Sequence, residues 1–295
     1  MDHDYFIMDS EAHIWRPEAQ EEVSYFRDFE RHVRSSRGII RPIAGEELIQ
    51  IYRERPHLNT TFENLIADMD AGGVDMACVL PEKMEHISMG AAPWSTNGYC
   101  ITAVQKYPDR LVLCPNFGPV IKRGVNEAIW EMEYMAKEQG AKIFKFYPPE
   151  DTYINDERLW PFYAKAQELG LVMSVHTGMG YMYADLTKYC HPLLLDDVCK
   201  DFYDLRIIAF HFGWPFHHEL NALAAKYPNL YISMSYLLQA VKFRPRWVQE
   251  LIGEAMLYAT ANKIIWGVDW PTAPMKFAVE CFWDIQIDED LQTGY

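Results

Sequence analysis

Apolar positions along the chain fall into short runs, each followed by a longer segment in which apolar residues recur every three or four positions. The runs at 74–80, 110–115, 142–146, 171–176, 206–211, 230–234 and 263–268 are dominated by Val, Ile, Leu and Phe. That pattern is expected of parallel strands covered on both faces. The segments at 61–69, 94–106, 125–138, 159–169, 194–202, 219–226, 246–258 and 275–283 read as helices. Gly72-Gly73, Gly140 and Gly170 stop three of them, and Pro108 and Pro228 stop two more. An eighth run, Tyr5-Phe6-Ile7-Met8, opens the chain. Extended backbone beyond it sets Glu11 and His13 on one side, about 6–7 Å apart along the strand.

Eight strands alternating with helices predict an α/β protein, a (β/α)8 TIM barrel, as a single domain over 1–295. A doubly wound open sheet would place a glycine-rich phosphate turn after the first strand. Asp9-Ser10-Glu11-Ala12-His13 is nothing of that kind. The alternation is interrupted once, at about 16–60, by aperiodic sequence rich in charge and aromatics. This insertion after the first strand is expected to cap the barrel with short helices, or else to be a surface elaboration.

Charge narrows the partners. The net charge of −15, with no basic cluster, disfavours nucleic acid. No apolar run approaches 18 residues and the first residues are acidic, so neither a membrane span nor a secretion signal is expected. The six cysteines form no C-x-x-C pair and read as buried free thiols in a reducing, cytoplasmic setting. The acidic chain with aromatic loops fits a homodimer or higher homo-oligomer.

Candidate chemistry collects at the predicted strand ends. Glu11 and His13 follow the first strand, His176 ends the fifth, His211 the sixth and Asp269 the eighth. A barrel opens all of these ends on one face, where such enzymes place their catalytic groups. Imidazole with carboxylate suits Zn²⁺, Mn²⁺, Fe²⁺ or Co²⁺ rather than Ca²⁺ or Mg²⁺. Alternation in the fourth strand puts Ile143, Lys145 and Tyr147 on one face. Lys145 is then either a contact for a substrate carboxylate or a solvated rim lysine. Trp214, Trp270, Tyr181 and Tyr183 lie just past strand ends, as an aromatic substrate wall or as ordinary packing over the mouth. His191, His217 and His218 are placed in loops on the same side, as candidates to touch substrate. His3, His32, His57 and His86 read as surface residues.

The motifs Asp9-Ser-Glu11-Ala-His13, Val175-His176-Thr-Gly178, Ala209-Phe-His211-Phe-Gly213-Trp-Pro215 and Trp266-Gly-Val-Asp269-Trp-Pro271 resemble those of the amidohydrolase superfamily. Within it, the chain is similar to the amidohydrolase-2 group related to aminocarboxymuconate-semialdehyde decarboxylase. Leu195-Asp196-Asp197-Val198 and Lys226-Tyr-Pro228-Asn-Leu-Tyr231 look like family connectors, so the likeness runs from residue 5 to about 275. The resemblance implies one divalent metal held by Glu11, His13, His176 and Asp269, with His211 beside it as proton donor or acceptor. Many members carry His-x-His at the first motif. Glu11 in place of the first histidine is similar to γ-resorcylate-type decarboxylases, and the added carboxylate hardens the ligand set so that Mn²⁺ stands beside Zn²⁺.

Two reactions fit this machinery. A hydrolase of a lactone, ester or C–C bond, or a hydratase, needs a metal-activated water and a base. A decarboxylase needs the substrate's carboxylate and neighbouring hydroxyl on the metal and an acid to protonate carbon. His211 and Asp269 serve either scheme, and Glu11 tilts the expectation to non-oxidative decarboxylation of an aromatic or unsaturated carboxylic acid. A barrel that has lost catalysis and serves as a binding subunit is the remaining rival, and it would lack one of the four ligands.

Overall fold

The apolar runs form eight parallel strands in the computed structural model, which describes residues 5–16, 34, 40–47, 50, 60–81, 95–180 and 185–289. They are β1 (Met8–Ile14), β2 (Met76–Pro81), β3 (Leu111–Leu113), β4 (Ile143–Phe146), β5 (Val172–Val175), β6 (Arg206–Ala209), β7 (Leu230–Ser233) and β8 (Ile264–Ile265). Between and after them run α1 (Phe62–Gly72), α2 (Asn97–Lys106), α3 (Val125–Lys137), α4 (Trp160–Glu168), α5 (Leu195–Asp201), α6 (His217–Lys226), α7 (Pro245–Ala259) and α8 (Met275–Trp283). A single helical turn at Val120–Arg123 precedes α3.

Strands β1-β2-β3 pair as one sheet and β4-β5-β6-β7-β8 as another, all in parallel. Single parallel bridges join the two sheets at both seams, Asn116 with Lys145 and Ala12 with Trp270. Lys145 N donates to Pro115 O and His13 N to Trp270 O, both at 2.8 Å, and Trp270 N donates to Glu11 O at 3.1 Å. The pairing therefore runs round the full circle of a (β/α)8 barrel.

Side-chain alternation divides the interior into two layers. Cys78, Leu80, Cys114 and Ile143 pack together with Met8, Val112, Val172 and Ile208. Their alternates Ala77, Val79, Phe144, Phe146, Met173 and Val175 pack instead with the helices in the main core. The sequence signals for helix ends hold where they were strongest. Thr61 Oγ1 caps α1 by accepting from Asn64 N at 3.3 Å, and Gly73 closes it at φ +70°. A Cβ on Gly72 would lie 2.7 Å from Lys276 N, so α1 and the start of α8 meet backbone to backbone.

The six cysteines are all buried and free. No helix among the described residues is long and apolar enough to cross a membrane. Of the insertion at 16–60, only 16, 34, 40–47, 50 and 60 are among the described residues, so the expected cap lies outside them.

Candidate metal centre

The site begins with an irregularity in β1. Its register runs Met8↔Met76 and Asp9↔Ala77 and resumes at Ala12↔Val79, so three steps of β1 oppose two of β2. Such a bulge bends a strand and re-aims its side chains. Asp9 pins it: the fully buried carboxylate accepts from Glu11 N at 3.2 Å and from Val268 N at 2.8 Å. Its other oxygen has no hydrogen-bond partner among the described residues, and burial pushes the Asp9 carboxyl well above the usual range. Asp9 thus ties β1 to the chain leaving β8, where Asp269 stands.

Glu11, His13 and Asp269 converge as a consequence. Each offers a ligand atom within 4.8 Å of the other two. His13 Nε2 is 3.2 Å from Asp269 Oδ1 and 3.6 Å from Glu11 Oε1. Asp269 and His211 both hold positive φ, +63° and +61°, with Phe212 at +52° and Tyr236 at +69°. Non-glycine residues enter this region at a cost of about 1 kcal/mol or more, and they do so mainly where function holds them. Here the turn points the Asp269 and His211 side chains back over the strand ends.

A second set of buried groups stands behind the three. His211 Nε2 is 3.1 Å from His176 Nδ1, and His176 Nε2 faces Met179 O at 3.1 Å. Ser235 Oγ donates to Glu11 Oε2 at 2.8 Å and lies 3.1 Å from His211 Nδ1. Lys145, only 3% exposed, pairs with Glu11 Oε1, and its ammonium lies 4.2 Å from the centre of the Phe210 ring. Burial acts to raise the Glu11 carboxyl, but Lys145, His211 and His13 overcome it and hold Glu11 well below the usual carboxylate range. Burial pushes the His176 imidazole well below its ordinary value, helped by His211 and Lys145. His211 is lowered by burial too, against the opposing pull of Glu11 and Asp269. An ionised Glu11 and a neutral His176 are the protonation states that suit binding of a divalent cation. Two carboxylates and one imidazole are a hard, oxygen-rich donor set that fits Mn²⁺ or Zn²⁺, whereas His176, expected as a fourth ligand, has its two ring nitrogens on His211 and Met179 O.

Lys145 is not a solvated rim lysine, because the barrel interior encloses it. It is the counter-charge of a fully buried carboxylate. Lys145→Met is therefore expected to destabilise the metal-free protein by about 3–5 kcal/mol, the usual cost of leaving one member of a buried pair alone. The sign with pH should also reverse. With Glu11 held low, its contribution is present above the unfolded carboxylate pKa of about 4.3 and fades as pH falls. In the variant burial prevails, the folded pKa rises, and stability falls as pH rises through it. Denaturant midpoints at several pH values, with EDTA and with Mn²⁺, read out both effects.

The remaining predicted residues are distributed unevenly. Tyr147 is at the site: its ring lies 4.9 Å from that of His176 and its hydroxyl donates to Asp185 Oδ2 at 2.8 Å. Half-buried Trp214 follows His211, its N donating to His211 O and its O accepting from Met179 N. Trp270 is turned away, since its indole is buried and donates to Asp68 Oδ2 of α1 at 2.8 Å. His191 serves its own loop, accepting from Leu193 N at 3.3 Å with its ring 4.1 Å from Phe216. His217 and His218 occupy the first turn of α6 rather than a loop. Tyr181, Tyr183, His3, His32, His57 and His86 lie outside the described residues. The sequence reading did not anticipate Asp9, Ser235 or Asp185. Ser235 follows the end of β7, the kind of position that identified the histidines, but a serine there carries no distinctive signal.

The amidohydrolase family model matches residues 8–294, almost the whole chain. The chain belongs to this family, in its amidohydrolase-2 group. Protein fluG of Emericella nidulans is 25% identical over 121 residues, 41% of this chain, and the match spans only 13% of that protein's length. Among solved structures, an uncharacterized TIM-barrel protein from Bordetella bronchiseptica is similar at TM-score 0.70 and 21% identity, covering 98% of this chain and 94% of its own. A dihydroxybenzoic acid decarboxylase from Polaromonas, with bound manganese and 2-nitroresorcinol, is similar at TM-score 0.63 and 16% identity over 97% and 93% of the two chains. A 2-pyrone-4,6-dicarboxylic acid hydrolase assigned in Pseudomonas putida is similar at 0.61 and 15%, over 97% and 93%. At these identities the structural likeness bears on the fold alone.

Proposed function

We propose that this protein is a mononuclear divalent-metal carboxy-lyase that removes a carboxyl group, without oxidation, from an aromatic or unsaturated carboxylic acid. Glu11, His13, His176 and Asp269 would hold Zn²⁺ or Mn²⁺. The ion, when bound, supplies Lewis-acid polarisation of the substrate's carboxylate and adjacent hydroxyl. The observation that carries the reading is the fully buried Glu11, paired with Lys145 and with His211 Nδ1 3.9 Å from its Oε2, at the motif where many members have a histidine. The manganese-bound decarboxylase among the similar structures supports it.

The chain's own groups divide the work. Lys145 provides buried positive charge for the substrate's carboxylate, and Tyr147 and Trp214 flank the approach. Asp269 is a ligand first and a proton carrier second. His211 assists delivery of a proton to the carbon that bears the carboxyl group. The C–C bond then breaks, CO₂ leaves, and the bonding electrons return to the ring or double bond. Ser235 Oγ, 3.1 Å from Nδ1, orients the His211 ring, and His176 would give up its contact with His211 or with Met179 O to reach the ion.

Hydrolysis is the second reading, favoured by the pyrone-hydrolase neighbour and by the ability of neutral His211 to take a proton from water. One experiment separates the two. The protein is stripped with a chelator, reloaded with Mn²⁺ or Zn²⁺, and given a panel of 2-hydroxybenzoates and of pyrone and other lactones. CO₂ release that disappears with chelation and returns with metal is expected. Lactone opening with net proton release and no CO₂ would overturn the decarboxylase assignment.

A further inference from the structure

We propose that His217, His218 and Glu254 form a second metal site, for Zn²⁺, that ties the first turn of α6 to α7. Each of the three offers a ligand atom within 4.8 Å of the others. His218 Nδ1 lies 2.6 Å from Glu254 Oε1, and the two histidine rings are 4.2 Å apart. His217 Nδ1 is shielded from solvent and has no hydrogen-bond partner among the described residues. A buried ring nitrogen without a partner is costly, and a cation on its lone pair removes that cost.

The donor chemistry selects the ion. Two imidazoles and one carboxylate match a three-ligand Zn²⁺ centre with a fourth position left for water. Ca²⁺ and Mg²⁺ want more oxygens than this corner supplies. Solvent reaches the site from the side of His218, whose side chain is 71% exposed, whereas Glu254 is only 20% exposed. The ligands come from the first turn of α6 and the body of α7. The same stretch of chain leads directly from His211, through Trp214 N to His211 O at 2.9 Å and Phe216 N to Gly213 O at 2.8 Å. A cation here braces the end of the segment that carries the proton-transfer histidine. No ligand is shared with Glu11, His13 or Asp269, so the inference stands apart from the proposed reaction.

Metal counting on the full chain tests it, with Zn²⁺ as the probe in calorimetric titration and elemental analysis. The wild type is expected to bind two equivalents, His218→Asn and Glu254→Gln one each, Asp269→Ala one, and the Asp269→Ala/His218→Asn double variant none. Zn²⁺ should also raise the melting temperature of Asp269→Ala and leave that of the double variant unchanged. A simple His218–Glu254 ion pair would give unchanged stoichiometry in His218→Asn and overturn the proposal. So would an equivalent retained by the double variant. Should the wild type bind one equivalent, its loss in Asp269→Ala would leave the mouth as the only site. Its loss in His218→Asn would uphold this site and overturn the ligand set at the mouth instead.

Discussion

Replacing His211 with asparagine is expected to lower turnover by about 10²–10⁴-fold, the usual contribution of a positioned acid or base, while leaving metal content unchanged. The geometry separates the two outcomes. His211 Nε2 is engaged with His176 Nδ1, and Nδ1 lies beside Ser235 Oγ, so neither nitrogen is aimed at His13 or Asp269. Asparagine keeps a polar group of similar reach but cannot carry a proton near neutral pH. Elemental analysis and steady-state kinetics on one preparation read both quantities. Loss of metal with retained activity would remove His211 from its assigned role.

Metal content should fall sharply in Asp269→Ala and in His176→Ala, and activity with it. Asp269 Oδ1, at 3.2 Å from His13 Nε2, is one of three donors already gathered, and its removal leaves one carboxylate and one imidazole. Several kcal/mol of transition-state stabilisation depend on such an ion. At about 1.36 kcal/mol per decade that is about 10³-fold or more in rate. His176 is the more discriminating test, because the structure holds it against His211 rather than within the tight group. Loss of metal in His176→Ala would make it the fourth ligand. Full occupancy in both variants would refute the ligand set.

How much of this was legible beforehand depended on what each signal encodes. Fully apolar runs with glycine or proline stops reported strand order and helix ends well, because parallel strands and αL caps have few chemical solutions. Boundaries were looser. The run at 263–268 forms ladder pairs only at Ile264–Ile265. Beyond it, Gly267 lies so close to Ser10 that a Cβ would stand 2.3 Å from Ser10 Oγ, and Val268 N is taken by Asp9. Strand-end logic grouped Glu11, His13, His176 and Asp269, since a barrel places all such ends on one face; the structure gathers Glu11, His13 and Asp269 and sets His176 against His211. Partners were less accessible. Alternation gave the face of Lys145 but not its burial, nor its pairing with a carboxylate 134 positions away. For Trp270, read as either an aromatic wall or packing over the mouth, the sequence did not show that the chain turns at the positive φ of Asp269 and sends the indole outward to Asp68.

The central claim is loss of CO₂ with protonation at carbon, and turnover in D₂O addresses it most directly. A 2-hydroxybenzoate accepted by the Mn²⁺-loaded protein should yield one CO₂ per product and one deuterium on the carbon that carried the carboxyl group. A metal-dependent product that retains its carboxyl group, formed by addition of water with no deuterium on carbon, would contradict it.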